Sequence, residues 1–400
     1  MFGNRRRSLA FLLPALAAVA LAGCDSDSIG PEPGHGPDGG VGSRRAATTL
    51  EWNRIALTKI ETHKPGQHGA LRGMAYLTLA QYGAADASRE HFPRPTATQG
   101  AIAGASAVVL TYLYPSDSAA FEAAVRGQEA ALEPGRQAGF RVGEALGRTI
   151  GAKAVALARN DRFHTPWNGT VPTGPGIWYS STVPATQPVL PLLGQMQPFF
   201  MSAGNHFRPA APPAFDSQAF AEAVAEVRLI ADTRTARQDS IAKFWAMGTG
   251  TLIAGYWNST AAELIERGRL DERQAAHVLA LMNTAAMDGL IACSDAKYAY
   301  WLLRPTQADP GISLAIGLPN FPSYPSNHAC FSGAAAYVLG ALFPREEQRL
   351  TGLAYEAAIS RVFGGIHYRF DGDAGLSMAR EISRLALDAD RSGGMLQLLR

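Results

Sequence analysis

Apolar residues recur at steps of three and four through most of this chain, and that period commits it to helices. Trp52, Ile55, Ala56 and Ile60 fall on one stripe, and Leu71, Met74, Ala75, Leu77, Leu79 and Tyr82 on the next. Ala101 to Tyr114, Ala119 to Leu132 and Gly139 to Ala158 repeat the pattern, punctuated by Pro115 and Pro134. It returns in Ser217 to Thr233, Arg237 to Met247, Thr260 to Arg267 and Asp271 to Leu303, with Asp271 as a cap and Tyr256-Trp257-Asn258 separating two helices. Asp373 opens a closing helix marked by Leu376, Ala379, Ile382 and Leu385. Nothing reads as a strand meander. The expectation is an all-α protein of helical bundles, since alanine-rich helices pack closely in that arrangement. The apolar run 101–113 is too short to cross a bilayer and reads as buried core.

Between the two helical halves the character changes. From Arg162 to Pro213 ten prolines leave little room for helices, while Trp167, Trp178, Tyr179, Phe199, Phe200 and Phe207 interleave with them. Aromatic content of that kind argues for packing, so the segment is expected to be an ordered cover over the mouth of a pocket. The amino terminus is an address: Arg5-Arg6-Arg7, an apolar run from Leu9 to Leu21, then Leu21-Ala22-Gly23-Cys24, which looks like a bacterial lipobox. Lipidation at Cys24 would tie the protein to the extracytoplasmic face of a membrane with no spanning helix. The chain therefore divides into a lipoprotein signal peptide (1–23), a Gly/Pro/Asp-rich flexible tether (24–46), an N-terminal helical half (47–161), the cover (162–215) and a C-terminal helical half (216–400).

Charge excludes one large class of partner. The net charge of +2 and the lack of a basic stripe with interleaved aromatics give no argument for nucleic acid. No zinc or calcium ligand pattern occurs, and His63, His68, His91, His164, His206 and His277 are too scattered to nominate. Cys293 and Cys330 are expected on converging helices, as two thiols or as a disulfide.

Chemistry concentrates in three short blocks between Lys297 and Asp371. In the first, Lys297 and Arg304 are seven residues apart, two helical turns, so both are expected on one face of a helix that Pro305 ends. In the second, Pro325-Ser326-Asn327-His328 reads as a helix start, where free backbone N–H groups lie beside the Ser326 hydroxyl and the His328 ring. In the third, Arg361 ends a helical pattern broken by Gly364-Gly365, and His367 is followed four residues later by Asp371. A carboxylate so placed can accept the proton of one ring nitrogen of His367 and leave the other as nucleophile or ligand. Together the blocks describe a site for a tetrahedral oxyanion.

The pattern Lys-x6-Arg-Pro, Pro-Ser-x-His, Ser-Arg-x3-Gly-x-His-x3-Asp resembles the superfamily that joins type 2 phosphatidic acid phosphatases, bacterial acid phosphatases and vanadium-dependent haloperoxidases. One position departs from it: Asn327 stands where the family usually has glycine, which narrows the pocket while keeping the backbone N–H. The resemblance implies a four-helix-bundle active-site core, with Lys297, Arg304, Ser326, Asn327, Arg361 and His367 holding phosphate or vanadate. It implies catalytic roles for His367, His328 and Asp371. In a haloperoxidase, vanadate is the cofactor, His367 its axial ligand, and halide and peroxide the substrates. In an acid phosphatase, no cofactor is required, His367 attacks phosphorus in a phosphate ester and His328 protonates the leaving alcohol. The proline-rich middle, Phe321-Pro-Ser-Tyr-Pro325 and Gly364-Gly-Ile-His367-Tyr look like the haloperoxidase branch. A phosphate- or vanadate-binding lipoprotein is a third expectation, and the oligomeric state is left open, with a homodimer as one option.

Overall fold

The computed structural model describes residues 45–247 and 250–399; the expected signal peptide (1–23), Cys24 and most of the expected tether (24–46) lie outside the described residues. Fourteen α-helices occur among them: α1 (Ala47–His63), α2 (Gly66–His91), α3 (Pro95–Leu113), α4 (Ser118–Ala130), α5 (Pro134–Asn160), α6 (Gln218–Asp232), α7 (Ala236–Met247), α8 (Leu252–Gly268), α9 (Glu272–Tyr300), α10 (Pro305–Ala308), α11 (Asn327–Leu342), α12 (Glu347–Phe363), α13 (Arg369–Arg391) and α14 (Gly394–Gln397). The described residues form no strand, only an isolated bridge between Ile177 and Leu302. The all-α reading holds.

Local chemistry sets the helix boundaries. Pro95 and Pro134 occupy first-turn positions, where the missing N–H costs nothing. Ser217 caps α6 by accepting from the Phe220 N–H at 3.1 Å. Asp271 and Gln274 form a reciprocal capping box at the start of α9. Beside it, the buried Glu272 carboxylate accepts from the Thr48 and Thr49 N–H groups, both at 2.9 Å, so α9 also caps α1. Tyr256-Trp257-Asn258 does not interrupt the helices as expected but lies inside α8. The polar atoms there find partners without a break: Trp257 Nε1 donates to Ser332 Oγ, and Asn258 exchanges hydrogen bonds with Asn53 and Asn283 of α1 and α9.

Small residues decide how close the helices come. A Cβ at Gly100 or Gly104 of α3 would sit 2.0 or 2.4 Å from a carbonyl oxygen of α5, and one at Gly143 or Gly147 of α5 would sit 1.8 or 1.9 Å from one of α3. Backbone therefore lies on backbone along that pair. α2 packs on both α3 and α5 and, on its other side, on α9. α9 in turn packs with α11 and α13, and α12 completes a four-helix group against α11 and α13. α9 is long and apolar enough to cross a membrane, yet 94% of that window is buried inside the protein, as suits a core helix.

The 162–215 segment forms no α-helix and buries Trp178, Leu193, Met196, Phe199 and Met201. Asp288 of α9, wholly buried, accepts from the backbone N–H groups of Phe199, Phe200 and Met201 at 2.7, 2.8 and 3.2 Å. Nearer the end of α9, Trp178 N–H donates to the Trp301 carbonyl at 2.7 Å and Leu303 N–H to the Gly176 carbonyl at 3.0 Å.

Candidate active site

Those last two bonds overturn one expectation. Arg304 is not on the helix that carries Lys297, because α9 ends at Tyr300 and Trp301 turns left-handed at φ 51°. The cover captures the backbone of Trp301 and Leu303 in place of a further helical turn. Arg304 is extended, as a residue before proline favours, and its side chain turns inward with no exposed surface. Its Nε donates to the Phe321 carbonyl at 2.9 Å, and its Nη1 to the Ile366 carbonyl at 2.7 Å and to His367 Nε2 at 3.0 Å. Nη2 is buried without a partner.

Lys297 is equally buried, on the last turn of α9. Its ammonium donates to the carbonyls of Pro322 and Ser323, at 3.0 and 2.7 Å, and of Pro325. It thus braces the loop before α11 and contributes charge to the site. Arg361, at the end of α12, donates from Nε to Ser360 Oγ at 2.9 Å and from Nη2 to the Ala242 carbonyl at 2.8 Å. No carboxylate hydrogen-bonds any of these three cations among the described residues. Burial pushes Lys297 down to about 8, Arg304 down to about 10 and Arg361 down to about 9. None of the three is ion-paired among the described residues, and the Asp371 carboxylate acts on Lys297 and Arg304 through its charge alone.

α11 begins as its sequence indicates, with Ser326 as the flanking residue and Asn327 and His328 in the first turn. Yet the Ser326 hydroxyl caps nothing; it is buried and unpartnered, as is Asn327 Oδ1. A capping residue that leaves its helix uncapped keeps both its hydroxyl and the free N–H groups of the first turn for something else. His328 Nε2 donates to the Trp245 carbonyl at 2.9 Å. Burial first, then Arg361, holds its ring well below the ordinary histidine range, so it is neutral.

His367 follows the Gly364-Gly365 turn, where Gly365 adopts φ 80°. Its Nδ1 lies 2.6 Å from Asp371 Oδ2, and Nε2 accepts from Arg304. Burial first, then Arg304 and Lys297, keep the imidazole neutral. The proton is therefore on Nδ1, and the Nε2 lone pair faces the cations. Asp371 Oδ2 also accepts from Ser323 Oγ at 2.6 Å and Tyr368 N–H at 3.2 Å, while burial pushes the carboxyl up to about 6.

A tetrahedral oxyanion fits these groups. Arg304 Nη2 and Ser326 Oγ are buried donors without acceptors, the α11 N-terminus adds backbone N–H groups, and His367 Nε2 offers one nitrogen lone pair. Such a donor set suits phosphate, or vanadate with one nitrogen ligand. Among the described residues no group of three or more His, Cys, Asp or Glu could hold a metal ion by itself. Cys293 and Cys330 are free thiols buried beneath the site, the former 3.6 Å from the Pro325 carbonyl.

Residues 277–388 match the family model of the PAP2 superfamily. The match covers that stretch of the chain alone. The matched stretch runs from α9 into α13 and contains every block residue from Lys297 to Asp371. The chain is similar in fold to a bacterial vanadium-dependent iodoperoxidase, at 20% identity and TM-score 0.75, covering 87% of this chain and 97% of that one. It is also similar to a bacterial vanadium-dependent chloroperoxidase in its apo and holo forms, each at 14% identity and TM-score 0.64, covering 82% of this chain and 93% of that one. No curated protein matches it in sequence.

Three residues around the candidate site escaped the sequence reading. Ser323 steadies Asp371, and its only signal was its place in the 321–325 block. Phe321 lies under two cations, with Lys297 Nζ 5.2 Å and Arg304 Cζ 5.0 Å from its ring centroid. His68, from the first turn of α2, sets its ring edgewise to Phe321 at 6.0 Å. Nothing in the sequence links position 68 to position 321.

Proposed function

We propose that this protein is a vanadate-dependent haloperoxidase, oxidising halide to hypohalous acid while hydrogen peroxide is reduced to water and one proton is consumed. One observation carries the reading: three buried cations and unpartnered donors surround a neutral histidine, and the buried carboxylate beside it is committed to orienting that ring. Uncompensated buried charge costs several kcal/mol per ion, so a pocket of this kind is built for an anion. Lys297, Arg304, Arg361, Ser326 and the α11 N–H groups, including that of Asn327, would hold the oxygens of vanadate, and His367 Nε2 would be its nitrogen ligand. Bound there, vanadate supplies a Lewis-acidic centre that activates peroxide towards halide without changing its own oxidation state. Asp371 fixes the Nδ1–H tautomer that leaves Nε2 free to bind. His328 stands ready to exchange a proton with peroxide once it releases the Trp245 carbonyl.

The runner-up, a phosphomonoesterase acting through phosphohistidine on the same residues, needs His328 protonated to release the alcohol. Burial and Arg361 oppose that state. A binding lipoprotein would not need His367 oriented by Asp371. The test loads the purified protein with vanadate and assays peroxide-dependent bromination of a phenol dye beside hydrolysis of nitrophenyl phosphate. Halogenation that appears only with vanadate supports the proposal, and phosphate release abolished by vanadate supports the runner-up. Activity surviving His367→Ala in either assay would remove the mechanism. Lipid anchoring through Cys24 at the extracytoplasmic face belongs to the same proposal; intact mass of the mature protein should show an acylated Cys24 at the amino terminus.

A further inference from the structure

Cys293 and Cys330 are nucleophilic groups that the mechanism above does not use. Both are wholly buried free thiols, one on α9 and one on α11. The two helices run antiparallel and nearly touch. A Cβ on Gly289 would lie 2.9 Å from the Cys330 carbonyl oxygen and 3.5 Å from the Ala334 Cβ, while Lys297, two turns further along α9, reaches the Pro325 carbonyl ahead of α11. Side chains lean towards the N-terminus of their own helix, so Cys293 leans back towards the level of Gly289 and Cys330 towards that of Ser326. The sulfurs therefore converge, and the two thiols share a hydrogen bond. Cys293 also sits one turn before Lys297, and its thiol donates at 3.6 Å to the same Pro325 carbonyl that takes the ammonium. Burial lowers Lys297, and Cys293 is first among the neighbours that oppose it.

We propose that Cys293 and Cys330 are a second reactive site, a dithiol that reduces hydrogen peroxide and closes into a disulfide beneath the oxyanion pocket. Of the two, Cys293 has the ammonium beside it, the charge that a reacting thiolate needs, so it is the attacking sulfur. Burial pushes the Cys330 thiol well up, which makes it the resolving one. The Cys293 sulfur attacks one peroxide oxygen; the O–O bond breaks, a sulfenic acid forms, and the other oxygen leaves as water with the thiol proton. The Cys330 sulfur then attacks the sulfenic sulfur; the S–O bond breaks, and the hydroxyl leaves as a second water with the Cys330 proton. Two thiols are oxidised and one peroxide is reduced. Peroxide, small and uncharged, passes through packing that stops an alkylating reagent. The new bond draws the sulfurs to about 2.0 Å, and it shifts the first turn of α11, with Ser326 and the free N–H groups, against Lys297. Closure thus weakens the hold on an oxyanion. The dithiol chemistry rests on the packing of α9 against α11 and needs no vanadate.

The test treats reduced full-length protein with hydrogen peroxide, quenches it in acid, alkylates it in urea and maps the peptides. A cross-link between Cys293 and Cys330 should appear as both free thiols disappear, and dithiothreitol should reverse it. By calorimetry, phosphate Kd should be about tenfold weaker for the oxidised protein than for the reduced one. Peroxide-treated Cys330→Ser, which lacks the resolving thiol, should keep a phosphate Kd within twofold of its untreated value and carry a sulfenic acid at Cys293 that dimedone traps. Thiols that both still alkylate in urea after peroxide, or that reach sulfinic acid without a cross-link, overturn the dithiol. A cross-link that leaves phosphate Kd unchanged overturns its coupling to the pocket. If neither form binds phosphate, the oxyanion reading falls by that result, while the peptide map still decides whether the disulfide forms. Should Cys330→Ser melt early, the wild-type map carries the decision.

Discussion

Asp288→Ala should loosen the cover without unfolding the helices. The substitution strips the acceptor from three backbone donors, of which Phe199 and Met201 are buried and Phe200 is half-buried. A buried donor left unmade costs about 1–3 kcal/mol. Taking about 2 for Phe199, which has the shortest bond, and about 1 for each of the others gives about 4 kcal/mol. Removing a desolvated carboxylate returns part of this, so about 3 kcal/mol remains, or roughly 100-fold in an opening equilibrium. Hydrogen exchange read by mass spectrometry on peptides covering 193–207 should quicken by about that factor, with α9 protected as before. Equal quickening everywhere, or none, would refute the idea that this carboxylate pins the cover. A pH signature accompanies it. Burial pushes Asp288 up to about 7 from an ordinary 3.8, so between those values the folded protein holds a proton that the unfolded chain has released. The site's contribution to stability is therefore full below about 4 and is lost as pH rises through about 7. The stability of wild type minus that of Asp288→Ala should fall across that window in urea titrations.

Gly147→Leu should destabilise by more than about 3 kcal/mol in a thermal or urea melt, because even a Cβ there would meet the Ala101 carbonyl oxygen at 1.9 Å. Gly127→Ala in α4, where a Cβ meets nothing within 4 Å, should be neutral or gain up to about 1 kcal/mol. Phosphate and vanadate should each raise the melting temperature, by about 2.7 kcal/mol of stabilisation at one hundred times Kd, and Arg304→Ala should abolish the effect. Cys293 and Cys330 should resist alkylation in the native protein and both react in urea, as peptide mapping can show; failure to react in urea would mean they are bonded.

Periodicity was sufficient for most of the helices because their stability comes from one apolar stripe meeting another, and that stripe is written locally. The His367–Asp371 pairing was legible for the same reason: a spacing of four at a helix start leaves few other partners. Lys297 and Arg304 show where that logic stops. Their spacing of seven fits a helix, but helix formation across 301–303 competes with backbone bonds from residues more than 120 positions earlier, and those bonds win. Asp288 looked like any residue of a long helix, because the three N–H groups it serves come from a segment without periodicity. His68 had no motif at all.

The break after Tyr300 is also what makes the site possible. Had α9 continued through Leu303, Arg304 would lie two turns beyond Lys297 on a rigid rod, and its height along that rod would fix where its fork could reach. Leaving the helix at Trp301 lets Leu302 accept from Ser323 N–H at 2.8 Å, which draws the 321–325 loop against the chain that carries Arg304. The same loop places its carbonyls around the Lys297 ammonium, the Ser323 hydroxyl on Asp371 and the Phe321 ring beneath both cations. One left-handed residue thus couples the cover, through Trp178 and Gly176, to the orientation of the His367 ring, through Ser323 and Asp371. A substitution that disturbs the Trp178–Trp301 contact should therefore weaken oxyanion binding although it touches none of the residues around the pocket.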